Sequence, residues 1–416
     1  MAIALDPQGF ELARLIRPDD VVVCAQASSE PLTLTEALVA QADRIGPMTV
    51  FLGATFSDTF WPGRAPNLRF AGLGGLGNTH RVSRAAGFGV VREPYSRFSQ
   101  MFASGELRCD VALISLAPGH NGEPYSTGPT CDHAIDAARH ARLVIAEINE
   151  ALPYAYGAFL PEDIRPHYTV RSTRTPPLYQ PAEPSLEEHR IAAHVARQVP
   201  NGATIELGIG SIAEAIAQAL SGHADLGLHT GMLSNGLLPL LERGVITNRG
   251  KGRHPGVSVA GMVVGGPAMY AYATRNPRLA VRHPRYTHAP DELASLRRFI
   301  AINAAIEVDL SGGVNAETVG AAYVGGLGGL PDFALGAKRS NGGSSIIALP
   351  STARGGTVSR IVPKLSGAAS IDASLVDLVI TEWGVATLRG ATPDERARRL
   401  VAVAHPEWRE RLERSG

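Results

Sequence analysis

Apolar residues recur along this chain in short unbroken runs, separated by stretches with helical spacing. Val21–Cys24, Met48–Leu52, Asp110–Leu116 and Leu143–Ile148 are dominated by β-branched and aliphatic side chains with little polar alternation. Runs of that kind predict strands covered on both faces, as in a parallel sheet. Glu11–Arg17, Leu34–Asp43 and Asp132–Ala141 carry apolar residues at helical spacing instead. The alternation of strand and helix predicts an α/β class with a largely parallel sheet.

Residues 171–184, RSTRTPPLYQPAEP, follow neither period and predict a linker. The chain then divides into an N-terminal α/β domain, 1–184, and a C-terminal one, 185–416. Ser185 with Glu188 forms a capping-box pattern opening a helix to about Val199. A strand is predicted over Ala203–Glu206, followed by a second capping-box pattern, Ser211 with Glu214, opening helix Ile212–Leu220. A further strand, Leu226–His229, leads into a tight loop and a helix Leu237–Arg243. Gly244 closes that helix, and Ser234, Asn235 and Gly236 supply cap and turn chemistry before it. One helix joins strands 203–206 and 226–229, which predicts parallel strands in the same sheet, with ends about 4.8 Å apart if they are adjacent. Val257–Val264, Asn303–Leu310 and Ser344–Ala348 continue the pattern.

Composition narrows the function classes. The 416 residues are 44% hydrophobic and 19% charged, as expected of a globular chain with a large core. Lys+Arg and Asp+Glu balance at 39 each, so global charge offers no attraction to nucleic acid or an anionic membrane. No apolar run is long enough to span a bilayer, and the N-terminus lacks a basic start followed by an apolar segment; a cytoplasmic protein is expected. Cys24, Cys109 and Cys131 show no paired spacing, so no metal site is expected, and buried apolar roles suit them. Gly72, Gly74 and Gly77 satisfy G-x-G-x-x-G after the strand-like Leu68–Phe70. They precede a helix-like HRVSRAAG and a strand-like FGVV, with Glu93 where a ribose-binding acid could sit. That pattern alone would suggest a nicotinamide oxidoreductase. It starts behind two earlier strands in a chain with 45 glycines, which favours an ordinary glycine-rich loop.

Candidate chemistry gathers in the second half. Glu206 sits at a strand end, where an unpaired buried carboxylate is costly. It is either functional or held by the Gly210–Ser211 amides. Gly208 and Gly210 let a ligand approach the backbone, and the helix start beyond them favours an anion. His229 ends the neighbouring strand. His120, Glu147 and Glu150 lie near strand ends of the first half; His120 and Glu150 are expected on the surface.

Leu226–Asn248, LGLHTGMLSNGLLPLLERGVITN, resembles a segment of the acetyl-CoA hydrolase/transferase family, which includes 4-hydroxybutyrate, butyryl and acetate CoA-transferases. The family pattern is G-I/L-H-S/T-E-M-x-S/T-D/N-G, and its Glu is the catalytic nucleophile. Here that position is Gly231. The likeness extends through Gly122, Ser126, Gly128, Asn149, Pro153 and Gly157, through LGIG with Glu206 in place of a Gln, and through NAAIEVDL. It continues over Gly325–Phe333, where Gly325 and Leu330 depart from a common Ser and Gln, and over the ending that holds Glu382, Arg389, Glu395, Arg396, His405, Pro406 and Arg409.

This resemblance implies two related open α/β domains of the CoA-transferase type with the active site in the interdomain cleft. It implies an acyl-CoA substrate, a small carboxylic acid as possible acceptor, no tightly bound cofactor, and a homo-oligomer. It assigns coenzyme A or oxyanion binding to Gly208, Gly210, Gly265, Gly266, Gly326, Gly328 and Gly329, and a substrate pocket to Met232, Asn235 and Leu330. Without a side chain at 231 the family's glutamyl-CoA intermediate cannot form there. Glu206 is then expected to act as general base on water or as a relocated nucleophile, with His229 orienting it or sharing its proton. The space beside Gly231 is expected to admit a longer side chain, a water or substrate bulk. Hydrolysis or other cleavage of an acyl-CoA is the leading expectation. True CoA transfer and a catalytically silent CoA-binding homologue are the alternatives.

Overall fold

The apolar runs become the central strands of two sheets in a computed structural model that describes residues 2–7, 9–61, 63–84 and 87–415. These residues fall into two units. The first comprises Met1–Tyr179, Ala260–Tyr286 and Tyr323–Gly326; the second comprises Gln180–Val259, Thr287–Ala322 and Leu327–Gly416. Two stretches from beyond residue 185 therefore cluster with the N-terminal residues. Backbone bonds account for this: Val263 N–H donates to Pro129 O, Arg275 N–H to Tyr154 O and Gly75 N–H to Gly325 O.

The first unit holds β1 (Ile3–Leu5), β2 (Val21–Cys24), β3 (Met48–Leu52), β4 (Leu68–Gly72), β5 (Gly89–Val90), β6 (Val111–Leu116), β7 (Leu143–Asn149) and β8 (Tyr168–Ser172). They line up as β1-β8-β7-β6-β2-β3-β4-β5, and the neighbouring pairs are parallel. Helix Leu32–Ile45 buries Leu34, Leu38, Ala42 and Ile45 in the core that β2, β3 and β6 build. Between Glu11 and Arg17 only a 3-10 turn, Leu12–Arg14, forms; Pro18 disfavours helix in the residue before it. Arg171 and Ser172 belong to β8, and the rest of the expected linker carries no helix or strand. His120 and Glu150 are exposed. All three cysteines are buried, and desolvation pushes the Cys131 thiol up to about 12, which leaves it inert as a nucleophile.

The G-x-G-x-x-G segment has a packing explanation. A helix of only His80–Ser83 follows it, and Ala85 and Ala86 of the expected helix lie outside the described residues. Gly74 has φ +99°, and a Cβ on it would lie 2.6 Å from Gly325 O. Cβ atoms on Gly72 and Gly77 would collide with the carbonyls of Leu52 and Thr55. The glycines are thus occupied by their own chain. Gly74→Ala is expected to cost about 3 kcal/mol, from a left-handed alanine pressed on a backbone carbonyl. Chemical denaturation of variant and parent checks it.

In the second unit, β9 (Thr204–Leu207) and β10 (Gly227–Leu233) continue into strands Phe299–Ala304, Ser344–Ala348, Leu378–Thr381 and Gly384–Thr387. The order is β10-β9 followed by those four, parallel except for the last pair. The Ser185–Glu188 capping box forms with both halves present at helix Leu186–Ala196. The second expected box does not form. Gly210 is the N-cap of helix Ser211–Ala219, the Ser211 hydroxyl donates to Glu188 Oε1 at 2.5 Å, and Glu214 accepts from Ser234 Oγ at 2.9 Å. Both side chains take tertiary partners in place of the local cap.

β10 is also longer than expected. It runs through Thr230, Gly231 and Met232 to Leu233, so position 231 lies in a strand and not in a loop. The Thr230 hydroxyl donates to Leu207 O at 2.9 Å and fastens the extension to the end of β9. The turn chemistry of Ser234–Gly236 acts beyond it, in a 3-10 turn Asn235–Leu237 and helix Leu238–Glu242. The run Asn303–Leu310 splits into the ends of two strands, Phe299–Ala304 and Glu307–Asp309. Near the C-terminus Glu395 completes a capping box with Thr392, Arg389 grips the buried Asp377 through two bonds, and His405 caps helix Pro406–Glu413. Among the described residues no helix is long and apolar enough to cross a membrane.

Candidate active site

Thr204 pairs with Gly227 and with Phe299, and Glu206 pairs with Ala301. Strand side chains alternate between faces, so Thr204 and Glu206 of β9, His229 and Gly231 of β10, and Phe299, Ala301 and Asn303 share one face. Phe299, Ala301, Leu293, Leu296, Phe333 and Ala337 form a core cluster over that face. Glu206 stands beside the cluster, one residue before the end of its strand.

Glu206 is 3% exposed, and its Oε2 accepts from Asn303 Nδ2 at 2.8 Å. The Gly210–Ser211 amides are not what holds it. Burial pushes its carboxyl up to about 8, against the opposing pull of the Asn303 amide and the Ile302 backbone. At neutral pH the group is mostly the protonated acid. A nucleophilic carboxylate and a general base both need the ionised form, which this environment makes the minor one at neutral pH.

His229 is buried and gives its Nε2–H to Thr287 O at 3.0 Å, with its ring edge-on to Phe299. Burial and then the nearby Lys251 hold the imidazole down to about 3, so it stays neutral across the physiological range. In that state it anchors the Thr287–His288 backbone.

The expected gap beside Gly231 is filled. A Cβ on Gly231 would meet His288 Nε2 at 3.2 Å and Phe333 Cε2 and Cζ at 3.2 and 3.4 Å. His288 is 3% exposed, its Nδ1 lies 2.8 Å from Thr287 Oγ1, and its ring centre is 4.6 Å from that of Phe333. On another side, a Cβ on Gly329 would lie 2.6 Å from both Cδ2 and Nε2 of the same ring. The imidazole is seated against both glycines because protein interiors leave few voids of side-chain size. Sequence reasoning missed His288, since THAP carries no period or motif that would mark it.

The remaining expected site residues are distributed over both units. Gly208, Gly210 and Gly328 lie in the second unit, and a Cβ on any of them would meet nothing within 4 Å, leaving their backbones approachable. Met232 is half-buried on the opposite face of β10 from Gly231, and Asn235 opens the following turn. Leu330 is buried in a core cluster with Val308 and Ile347. Gly265, Gly266 and Gly326 belong to the first unit. There Gly265 O accepts from Tyr179 N–H, Gly266 caps helix Pro267–Ala273 with open space beside it, and Gly326 packs on Leu73 and Leu76.

Large parallel sheets of this kind are shared with solved CoA-transferase structures. The model of the acetyl-CoA hydrolase/transferase C-terminal domain matches residues 265–415. A 4-hydroxybutyrate coenzyme A transferase of Clostridium kluyveri is 34% identical over 395 residues, covering 94% of this chain and 92% of that protein. The crystal structure of RipA from Yersinia pestis superposes with a TM-score of 0.89 at 27% identity, covering 99% of this chain and 96% of that one. The 4-hydroxybutyrate CoA-transferase of Porphyromonas gingivalis gives 0.80 at 30% identity with the same coverage. The chain belongs to the acetyl-CoA hydrolase/transferase family.

Proposed function

We propose that this protein binds an acyl-CoA and cleaves its thioester with water as the acceptor, using Glu206 as general base. The observation that carries this reading is a glycine at the position expected to hold the family's nucleophile, beside a strand that carries a buried carboxyl with raised proton affinity. Gly231 offers no carboxylate, while Glu206 is bonded by Asn303 and raised to about 8. In its ionised fraction Glu206 takes a proton from water as the water oxygen attacks the thioester carbonyl; the same proton later goes to the departing thiolate. The approachable backbones of Gly208, Gly210 and Gly328 suit the phosphates and carbonyl oxygen of the ligand. The reaction needs no tightly bound cofactor, and a cytoplasmic homo-oligomer working on a CoA thioester fits the family.

Supplying a panel of acyl-CoA substrates and following free thiol tests the reading. Thiol release is expected without any second carboxylate. Formation of a new acyl-CoA from an added carboxylate, with hydroxylamine-sensitive labelling of the protein, would instead establish transfer. Binding of coenzyme A thioesters without turnover would mark a silent homologue.

A further inference from the structure

We propose that Trp383 is the platform on which the adenine ring of the acyl-CoA stacks, with Arg360 meeting the phosphates on the way to the thioester. This rests on the reading of the protein as one that binds an acyl-CoA. Both residues and Glu206 lie in the second unit.

The indole of Trp383 is open and yet held still. Strand Leu378–Thr381 turns into strand Gly384–Thr387 through Glu382 and Trp383 alone, with Thr381 paired to Gly384. Trp383 is 43% exposed at the tip of that turn. Its Nε1–H donates to Ser351 Oγ at 3.1 Å, and the Ser351 hydroxyl donates to Glu382. His405 meets the ring edge-on with 5.4 Å between ring centres, and the Arg409 guanidinium lies 5.9 Å from the ring centre. An aromatic ring fixed in this way offers a flat π surface that loses little freedom when a ligand covers it. A base stacks on such a surface through its own π face, whatever hydrogen bonds its edge makes.

Trp383 also stands at the right end of the sheet. It follows the C-terminal end of strand Leu378–Thr381, the end at which Glu206 stands on β9, and the strands between them are parallel. Ligands of open α/β sheets bind outside those ends. Strands Phe299–Ala304 and Ser344–Ala348 intervene, so the two residues are three strand spacings of about 4.8 Å apart, or about 14 Å. An extended pantetheine and diphosphate arm covers that distance with length to spare.

Arg360 bridges the two intervening strand ends. Its backbone N–H donates to Ser351 O, and its Nη1 donates to Ala305 O at 3.4 Å. Its Nε is buried and has no hydrogen-bond partner among the described residues. Glu188 and Glu382 are the acids near enough to favour its charge, but each is taken up by two other donors. Glu188 accepts from the Ser185 N–H and the Ser211 hydroxyl, and Glu382 from the N–H and hydroxyl of Ser351. Burying part of a guanidinium with so few acceptors is costly, and phosphate oxygens would supply them.

The test uses the full chain and reads binding alone. Calorimetric titration with a non-hydrolysable CoA thioether compares wild type, Trp383→Ala, Trp383→Phe and Arg360→Ala. Trp383→Ala is expected to weaken binding about 5–150-fold, the range for losing one base stack. Trp383→Phe keeps a ring face and is expected to stay within about threefold of wild type. Arg360→Ala is expected to weaken binding about 10–100-fold. Adenosine 3′,5′-bisphosphate is expected to quench the tryptophan fluorescence of wild type but not that of Trp383→Phe, which keeps Trp61 and Trp408.

A Trp383→Ala affinity within about twofold of wild type overturns the platform. So does a Trp383→Phe loss as large as that of alanine, because the ring would then matter for its bond to Ser351 and not for its face. Equal quenching in wild type and Trp383→Phe overturns it too, and decides the matter should the alanine variant not fold. An Arg360→Ala variant that binds like wild type overturns the phosphate contact. Thiol release plays no part in these readings. An inactive protein with the expected pattern keeps the platform and loses the hydrolytic reading, whereas an active one indifferent to residue 383 does the reverse. Wild type that binds no CoA thioether overturns both.

Discussion

Glu206→Gln is expected to lower thiol release from acyl-CoA by about 10²–10⁴-fold, the range for removing a positioned general base. The substitution isolates the proton chemistry. Gln keeps the shape and an oxygen to accept from Asn303 Nδ2, the bond made at 2.8 Å in the parent. It cannot take a proton from water. The wild-type pH profile should carry the same signature. With the carboxyl held near 8 by burial, only about a tenth is ionised at pH 7, so kcat should rise through neutrality and level off above about 8. Stability should move the other way. The folded carboxyl is raised from 4.5 to about 8, so between those values the native state holds a proton that the unfolded chain has lost. The stability it contributes is complete below 4.5 and is lost as pH climbs through 8. Glu206→Gln removes that dependence, and denaturation of both proteins at pH 5 and pH 8.5 should show the variant gaining on wild type at the higher pH. Full activity of Glu206→Gln, or a flat profile between pH 6 and 9, would withdraw the assignment.

Much of this scaffold was legible because local signals and tertiary packing agree in it. VVVC and VALISL are buried on both faces, so unbroken apolar runs sufficed to identify β2 and β6. The parallel run of β9 and β10 in one sheet followed from a single intervening helix, and the register of Gly227 on Thr204 makes them neighbours. Local patterns failed where a distant partner won. Ser211 and Glu214 have the spacing of a capping box, yet Glu188 and Ser234 claim them. Thr230 and Met232 read as loop beside Gly231 because the turn residues stand so near, but the bond from Thr230 to Leu207 O carries the strand past them. The site was half visible for the same reason. Glu206 stood out as a carboxylate in an apolar strand. His288 did not, because its importance lies in what it touches across the fold and not in its sequence neighbours.

Gly231→Glu, which puts a glutamate at the position expected to hold the family's nucleophile, is expected to destabilise this protein and to yield no transferase. The Cβ of the new side chain would start 3.2 Å from both His288 Nε2 and Phe333 Cε2. The atoms beyond it would need the volume of an imidazole that Phe333 covers and that Gly329 abuts at 2.6 Å. Overpacking of this kind costs about 1–3 kcal/mol, and a carboxylate buried beside neutral groups adds to it. Removing the ring should reverse the outcome. In a Gly231→Glu, His288→Ala double variant the carboxylate gains the vacated seat, so melting temperature should recover relative to the single variant. Incubation with an acyl-CoA and a second carboxylate should then give new acyl-CoA and hydroxylamine-sensitive labelling that neither wild type nor the single variant shows. The two substitutions must therefore couple, with the pair more stable and more active in transfer than the sum of their separate effects. Additive behaviour would mean that residues 231 and 288 do not compete for one space. A labelled, undamaged single variant would mean that the imidazole leaves room for a glutamate after all.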